Sequence, residues 1–152
     1  MARLPGSGAE DGQIAILILG LFAITLVLIL GAIDVTAAQL GRMRLLDVAD
    51  AVALDAADAL DEEATYARGV TETPVLTNAS VREAAEGHLA QTPRPAGLEM
   101  WTLGPDTGTP DGRTAVVTLT GRAMLPMTGW ILESLGGSVT ITVESRARAP
   151  LR

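Results

Sequence analysis

From Ile14 to Ile33 the chain is apolar at almost every position and carries no charge, reading IAILILGLFAITLVLILGAI before Asp34 closes it. A helix rising 1.5 Å per residue covers about 30 Å over such a run, the hydrocarbon thickness of a bilayer. A secretory signal peptide is the rival reading, but its apolar region is shorter, follows positive charge and leads into a small-x-small cleavage site. Here Glu10, Asp11, Gly12 and Gln13 stand in front of the run, and Thr36-Ala37-Ala38 is a weak match to such a site. The run predicts a membrane-spanning helix. Arg3 on one side against Arg42 and Arg44 on the other is too small a difference to orient it.

Beyond Asp34 the period stays helical. Leu40, Met43, Leu45, Leu46, Val48, Ala49, Val52, Ala53, Ala56, Ala57 and Leu60 recur at spacings of three and four, with no proline before Tyr66 and Gly41 as the one glycine. The pattern predicts one helix from about Ile14 to about Ala67, ended by Gly69 and the Thr-rich segment that closes with Pro74. At 100° per residue, Asp47, Asp50, Asp55, Asp58, Asp61 and Glu62 share one arc, with Leu54 among them. Leu45, Ala49, Val52, Ala53, Ala56, Ala57 and Leu60 occupy the opposite side, where alanine permits close approach by whatever packs there.

The sequence Ser80-Val81-Arg82-Glu83 has the form of a capping box, predicting a second helix over Ser80 to Leu89 with Val81, Ala84, Ala85, His88 and Leu89 on one stripe. Past the proline-containing connector Gln91 to Gly97 the period becomes two. Ala115, Val117, Leu119 and Ala123 alternate with Thr114, Val116, Thr118, Thr120 and Arg122, and Val139, Ile141, Val143 and Ala147 alternate with Thr140, Thr142, Glu144, Arg146 and Arg148. Both patterns predict strands that are apolar on one face and wet on the other. Gly97 to Leu103 reads as a less regular strand that forms a hairpin across the loop Gly104 to Arg113. Pro126 to Leu135 reads as a short helix opened by proline and closed by Gly136-Gly137, with Met127, Trp130, Ile131 and Leu135 packing on the sheet edge or core. The expected fold is α+β: a long N-terminal helix, half transmembrane and half amphipathic, then a small antiparallel sheet of three or four strands with short helices. The corresponding divisions are a leader over 1–13, the membrane run over 14–33, the amphipathic extension over 34–68 and a small α+β domain over 69–152.

Composition narrows the chemistry. A net charge of −7 argues against nucleic acid as a partner, because phosphate binding needs clustered positive charge. All eleven basic residues are arginine, which together with the abundant alanine is the signature of a high-GC bacterial genome. The absence of cysteine excludes disulfides, thiol catalysis and cysteine-ligated metals. The aspartate arc offers i, i+3 pairs, but one straight helix supplies too few converging oxygens for calcium or magnesium. The loop Gly104 to Gly112 lacks the ligand set and closing glutamate of a calcium loop. His88 stands without a second histidine and reads as a packed residue, and no base adjoins Ser134 in sequence. Neither a nucleophile elbow nor a phosphate loop occurs. These observations point to a non-enzymatic chain with no cofactor, no metal and no small-molecule substrate. Gly20 and Gly31, with Thr25, lie near one side of the membrane run and are candidates for helix contact.

The block Glu10-Asp11-Gly12-Gln13, the apolar run, Asp34 and the segment Leu46-Asp47-Val48-Ala49-Asp50-Ala51-Val52-Ala53-Leu54-Asp55-Ala56-Ala57 together resemble the N-terminal segment of TadE/TadG-like proteins. These are minor-pilin or assembly components of the Flp (tight-adherence) branch of type IV pili. The alternating C-terminal strands also look like that family's small sheet domain. The resemblance marks Gln13, Asp34, Leu46, Ala49, Asp50, Ala53, Ala56 and Ala57 as family-motif and helix-packing positions, and Gly8 and Gly12 as positions for prepilin-type processing. The glutamate that such processing expects five residues on is Gln13 counted from Gly8 and Leu17 counted from Gly12, so a permanently anchored TadG-like protein is the better analogue. The resemblance implies a single-pass protein of the bacterial cytoplasmic membrane, its N-terminus cytoplasmic and its sheet domain extracytoplasmic. It also implies pilin-like or Tad assembly subunits as partners, met through the N-terminal helix. The alternatives are an anchored extracytoplasmic binding or adhesion module, and a domain secreted after signal cleavage.

Overall fold

The computed structural model describes residues 8–67 and 75–148, with side chains described for residues 12–58 and 75–148. α1 (Gly8–Ala67) is one helix of 60 residues, roughly 90 Å at 1.5 Å per residue. Hydroxyls within and just past its apolar half are satisfied locally: Thr25 and, two residues after Asp34, Thr36 donate to the carbonyls of Leu21 and Ala32 one turn back, both at 2.8 Å. Gly69 and Pro74, the expected terminators, and residues 1–7 of the expected 1–13 leader lie outside the described residues.

α2 (Asn78–Gln91) starts earlier than its apparent capping box predicts. Thr77 is the N-cap; its hydroxyl accepts from the Ser80 N–H at 3.1 Å, and the Ser80 hydroxyl accepts from the Thr77 N–H at 3.1 Å. Ser80 is therefore the N3 partner and not the cap, and Glu83 is left exposed. Two hydroxyl residues three apart satisfy the same two free amides that a Ser–Glu pair would satisfy, which is why the register was ambiguous.

Three antiparallel strands follow in sheet order β1-β2-β3: β1 (Leu98–Leu103), β2 (Thr114–Ala123) and β3 (Val139–Arg148). A bulge between Leu98 and Met100 resets the phase of β1, so Leu98, Trp101 and Leu103 reach the core while Met100 and Thr102 face out. That extra residue accounts for the irregular alternation in the sequence. α3 (Gly129–Ser134) sits in the β2–β3 connector. The stretch from Pro126 to Thr128 is a turn preceding the helix, which shortens the expected element.

The sheet's inner face lies on the second half of α1, with α2 alongside. Leu45, Ala49, Val52, Ala53, Ala85, Leu98, Val117, Leu119 and Val143 form one buried cluster, and Ala56, Ala57, Leu76, Val81 and Ala115 form a second further along the helix. Helix and sheet approach closely where Gly121 meets α1: a Cβ there would lie 3.3 Å from the Leu45 side chain and 3.3 Å from the Met100 carbonyl oxygen.

β2 departs from the expected one-wet-face pattern, because Val116 and Thr118 on its outer face are also buried. The β1–β2 loop folds back over them: Gly108 and Val116 exchange backbone hydrogen bonds at 2.9 and 2.8 Å, and the Thr107 hydroxyl accepts from the Thr118 N–H at 3.1 Å. The covering loop is pinned by Asp111, whose carboxylate accepts from the N–H groups of Arg113 and Thr114 and from the Thr114 hydroxyl. These bonds, first that from Arg113 and then those from Thr114, hold the Asp111 carboxyl below the usual aspartate range. Under the loop, the Thr118 hydroxyl is buried without a hydrogen-bond partner. Thr118→Val, which keeps the shape and removes the unpaired group, is therefore expected to raise the unfolding free energy of the head by about 1 kcal/mol. Chemical denaturation in detergent checks this, and a loss of stability would show that the hydroxyl is satisfied.

Candidate functional site

Two features of α1 stand out as candidate functional elements: an uncovered apolar half and the buried Asp34 at its end. From Ile14 to Ile29 the large apolar side chains are all exposed, whereas the second half of the helix buries its apolar side against the head. A soluble domain would not leave so large an apolar surface in water. By length and hydropathy α1 is the one helix among the described residues able to cross a membrane. Gly12, Gly20 and Gly31 have nothing within 4 Å of an added Cβ, so the glycines of the run make no close contact within the chain.

Asp34 terminates the apolar run and ties it to the head. It is buried, and its carboxylate accepts from the Met127 N–H at 2.9 Å, the Thr128 N–H at 2.8 Å and the Thr128 hydroxyl. Three donors converging on one carboxylate are what makes a buried aspartate tolerable beside an apolar segment. Asp34→Ala would leave two backbone N–H groups without an acceptor. We expect hydrogen exchange at Met127 and Thr128 to accelerate about tenfold or more, with Asp34→Asn intermediate because it keeps one acceptor. Equal exchange in all three proteins would show that the contact does not order the connector.

The other motif residues divide by face. Ala49, Ala53, Ala56 and Ala57 are buried against the chain's own sheet and α2, so the close neighbour their size permits is the head itself. Leu46 and Asp50 point outward with Leu40, Met43, Asp47, Leu54 and Asp58. Gln13 lies exposed in the early turns of α1, and Gly8 opens the helix.

The aspartates on the outer face stay dispersed, and no cluster of three or more metal-ligating side chains occurs among the described residues. His88 is half-buried, and its Nδ1 lies 3.1 Å from Asp55 Oδ2, tying α2 to α1. The Ser134 hydroxyl donates to the Ile131 carbonyl at 2.7 Å.

Two structural roles escaped the sequence reading: the Asp55–His88 pair, and the seat that Asp34 provides for the β2–β3 connector. Partners 33 and 94 residues apart leave no local signal. The expectation that Met127, Trp130, Ile131 and Leu135 pack on the sheet edge or core is overturned, since all four are exposed. α3 buries no residue, and Trp130 and Leu135 are 71% and 79% exposed. The turn is held at the sheet's end by Asp34, so its helix never lies across the sheet face.

No curated protein and no solved structure gives a significant match to the chain. Residues 12–59 match the model of the Tad family, described as Flp pilus-assembly TadE/G-like. The match begins just ahead of the apolar run and ends where the two packed clusters have been passed, so the similarity to TadE/G-like Flp pilus-assembly proteins falls on α1.

Proposed function

We propose that this chain is a non-catalytic, membrane-anchored component of Flp/Tad-type pilus assembly or secretion, either minor-pilin-like or an assembly factor. One observation carries this reading: the family match falls on a helix whose exposed apolar half continues unbroken into the shaft that holds the head. In this reading residues 14–33 cross the bacterial cytoplasmic membrane once, with the N-terminus cytoplasmic and the sheet domain extracytoplasmic. Residues 34–67 present the head at a fixed height above the bilayer. Because the alanine side is occupied by the head, other pilin-like or Tad assembly subunits meet α1 along the apolar run and along the outer face of Leu40, Met43, Leu46 and Leu54. Gly8 and Gly12 are the positions at which a prepilin-type peptidase would act, and without the glutamate the uncleaved form is favoured.

Site-specific photocrosslinkers at Met43 and Leu54 in native membranes test the proposal. Adducts with other pilus or assembly subunits, together with loss of surface filaments on gene deletion, are the expected results. Unchanged filaments and adhesion on deletion would overturn it. N-terminal sequencing adds a separate arm: a mature start near Ala37 would remove the anchor, whereas a start at Ala9 or Gln13 would indicate processing.

A further inference from the structure

The β2–β3 connector, residues 124–138, is the least polar loop of the head and lies at one particular end of it. Its single charge is Glu133, and Met124, Met127, Trp130, Ile131 and Leu135 are all exposed. At the opposite end of the sheet, the β1–β2 connector over 104–113 carries Asp106, Asp111 and Arg113. The apolar connector is the one held to Asp34, and Asp34 follows directly on Ile33, the last residue of the apolar run. Ile33 and Val35, on either side of Asp34, are exposed as well, so the connector's apolar residues are tethered at the end of an exposed apolar run.

We infer that this connector is a second membrane contact. Trp130, Leu135 and their apolar neighbours sit in the headgroup–acyl boundary of the bilayer that the apolar run crosses. The inference rests on residues 14–33 spanning that bilayer. Several observations favour lipid over water or protein. An apolar patch of this kind on a soluble surface is a liability unless something covers it. Fixing the turn one hydrogen bond from the end of the span places it at interfacial depth, where an indole with an apolar body and one N–H donor is favourably solvated. The only charge in the connector, Glu133, lines a depression with Glu99 and Arg122 on the head side. With one rigid helix as its sole attachment, the head could lean in any direction. A second contact selects one tilt, and with it the direction in which the outer face of α1 is presented to a neighbouring subunit.

The chain contains no cysteine, so single cysteines label uniquely. Leu135→Cys and Asp106→Cys, both at exposed positions, are each labelled with a polarity-sensitive fluorophore in the full chain and reconstituted into phosphatidylcholine vesicles. Vesicle flotation is measured first, then quenching by acyl-brominated phosphatidylcholine and by aqueous iodide. We expect brominated lipid to lower the emission at position 135 about twofold, and iodide quenching there to be several-fold weaker than at position 106. Equal behaviour of the two positions in floating vesicles would overturn the inference while leaving the anchor intact. Shielding of position 135 from iodide without quenching by brominated lipid would also overturn it, assigning the patch to a second copy of the chain. Failure to float would overturn the anchor and this inference together.

Discussion

Leu45→Ala is expected to lower the unfolding free energy of the head by about 3–4 kcal/mol, the cost of an uncollapsed cavity in a packed core. Leu45 is fully buried in the cluster that joins α1 to the sheet, and its side chain occupies the narrow gap opposite Gly121. Alanine at Ala49 and Ala53 already brings the helix close to the strands, so little neighbouring bulk can move in to fill the space. For a small domain, with a total stability on the order of 5–15 kcal/mol, a change of this size is a large fraction of the whole. The measurement is denaturant unfolding in detergent micelles, followed by near-ultraviolet circular dichroism of Trp101, which packs against the same cluster. Leu54→Ala is the matched comparison. The residue has the same chemistry on the same helix but is 57% exposed, so its truncation should change stability by no more than about 0.5 kcal/mol. Equal losses for the two variants would mean that the head is not clamped on the second half of α1.

A second large effect is expected from Leu21→Arg combined with Ile24→Arg. Both residues lie near the middle of the apolar run and are exposed along it. Each arginine at the centre of a bilayer carries an insertion cost of about 2.5–3.5 kcal/mol, and two on neighbouring turns leave no single depth to which both can reach water. The double variant should move from the carbonate-resistant membrane fraction into the soluble or aggregated fraction. Leu54→Arg, on the exposed outer face of the shaft, should leave fractionation unchanged. If the double variant stays with the membrane, residues 14–33 are not its anchor. Because the head lies on a different part of α1, its unfolding transition should survive in detergent.

Much of this molecule could be read directly from local pattern. The apolar run, the helical continuation to Ala67, the division of its faces between aspartate and alanine, and the strand segments all follow from periods of 3.6 and 2 that each residue shares with its near neighbours. The TadE/G-like motif was legible for the same reason, since it is a contiguous block. The irregular strand became intelligible only with its bulge, and the start of α2 only with the Thr77–Ser80 exchange, because in both places two local registers are nearly equivalent.

The errors fall where one element's environment is set by another. Val116 and Thr118 look wet by alternation and are buried, because a loop with no periodicity of its own folds back over them. Trp130 and Leu135 look buried by composition and are exposed, because Asp34 holds their turn at the sheet's end. Asp34 itself reads as the residue that stops an apolar run, and its partners at Met127 and Thr128 are more than ninety positions away.

By itself, then, the sequence determined that a membrane-length helix continues into an amphipathic shaft, and that a small antiparallel sheet follows. Only the tertiary structure decided that the shaft's alanine side is filled by the chain's own sheet, that the sheet's outer face is partly roofed by the β1–β2 loop, and that an uncovered tryptophan stands beside the end of the apolar run. The physical reason is range. Helix and strand periods arise from backbone geometry and near neighbours, whereas burial on a given face depends on which distant segment is there to exclude water.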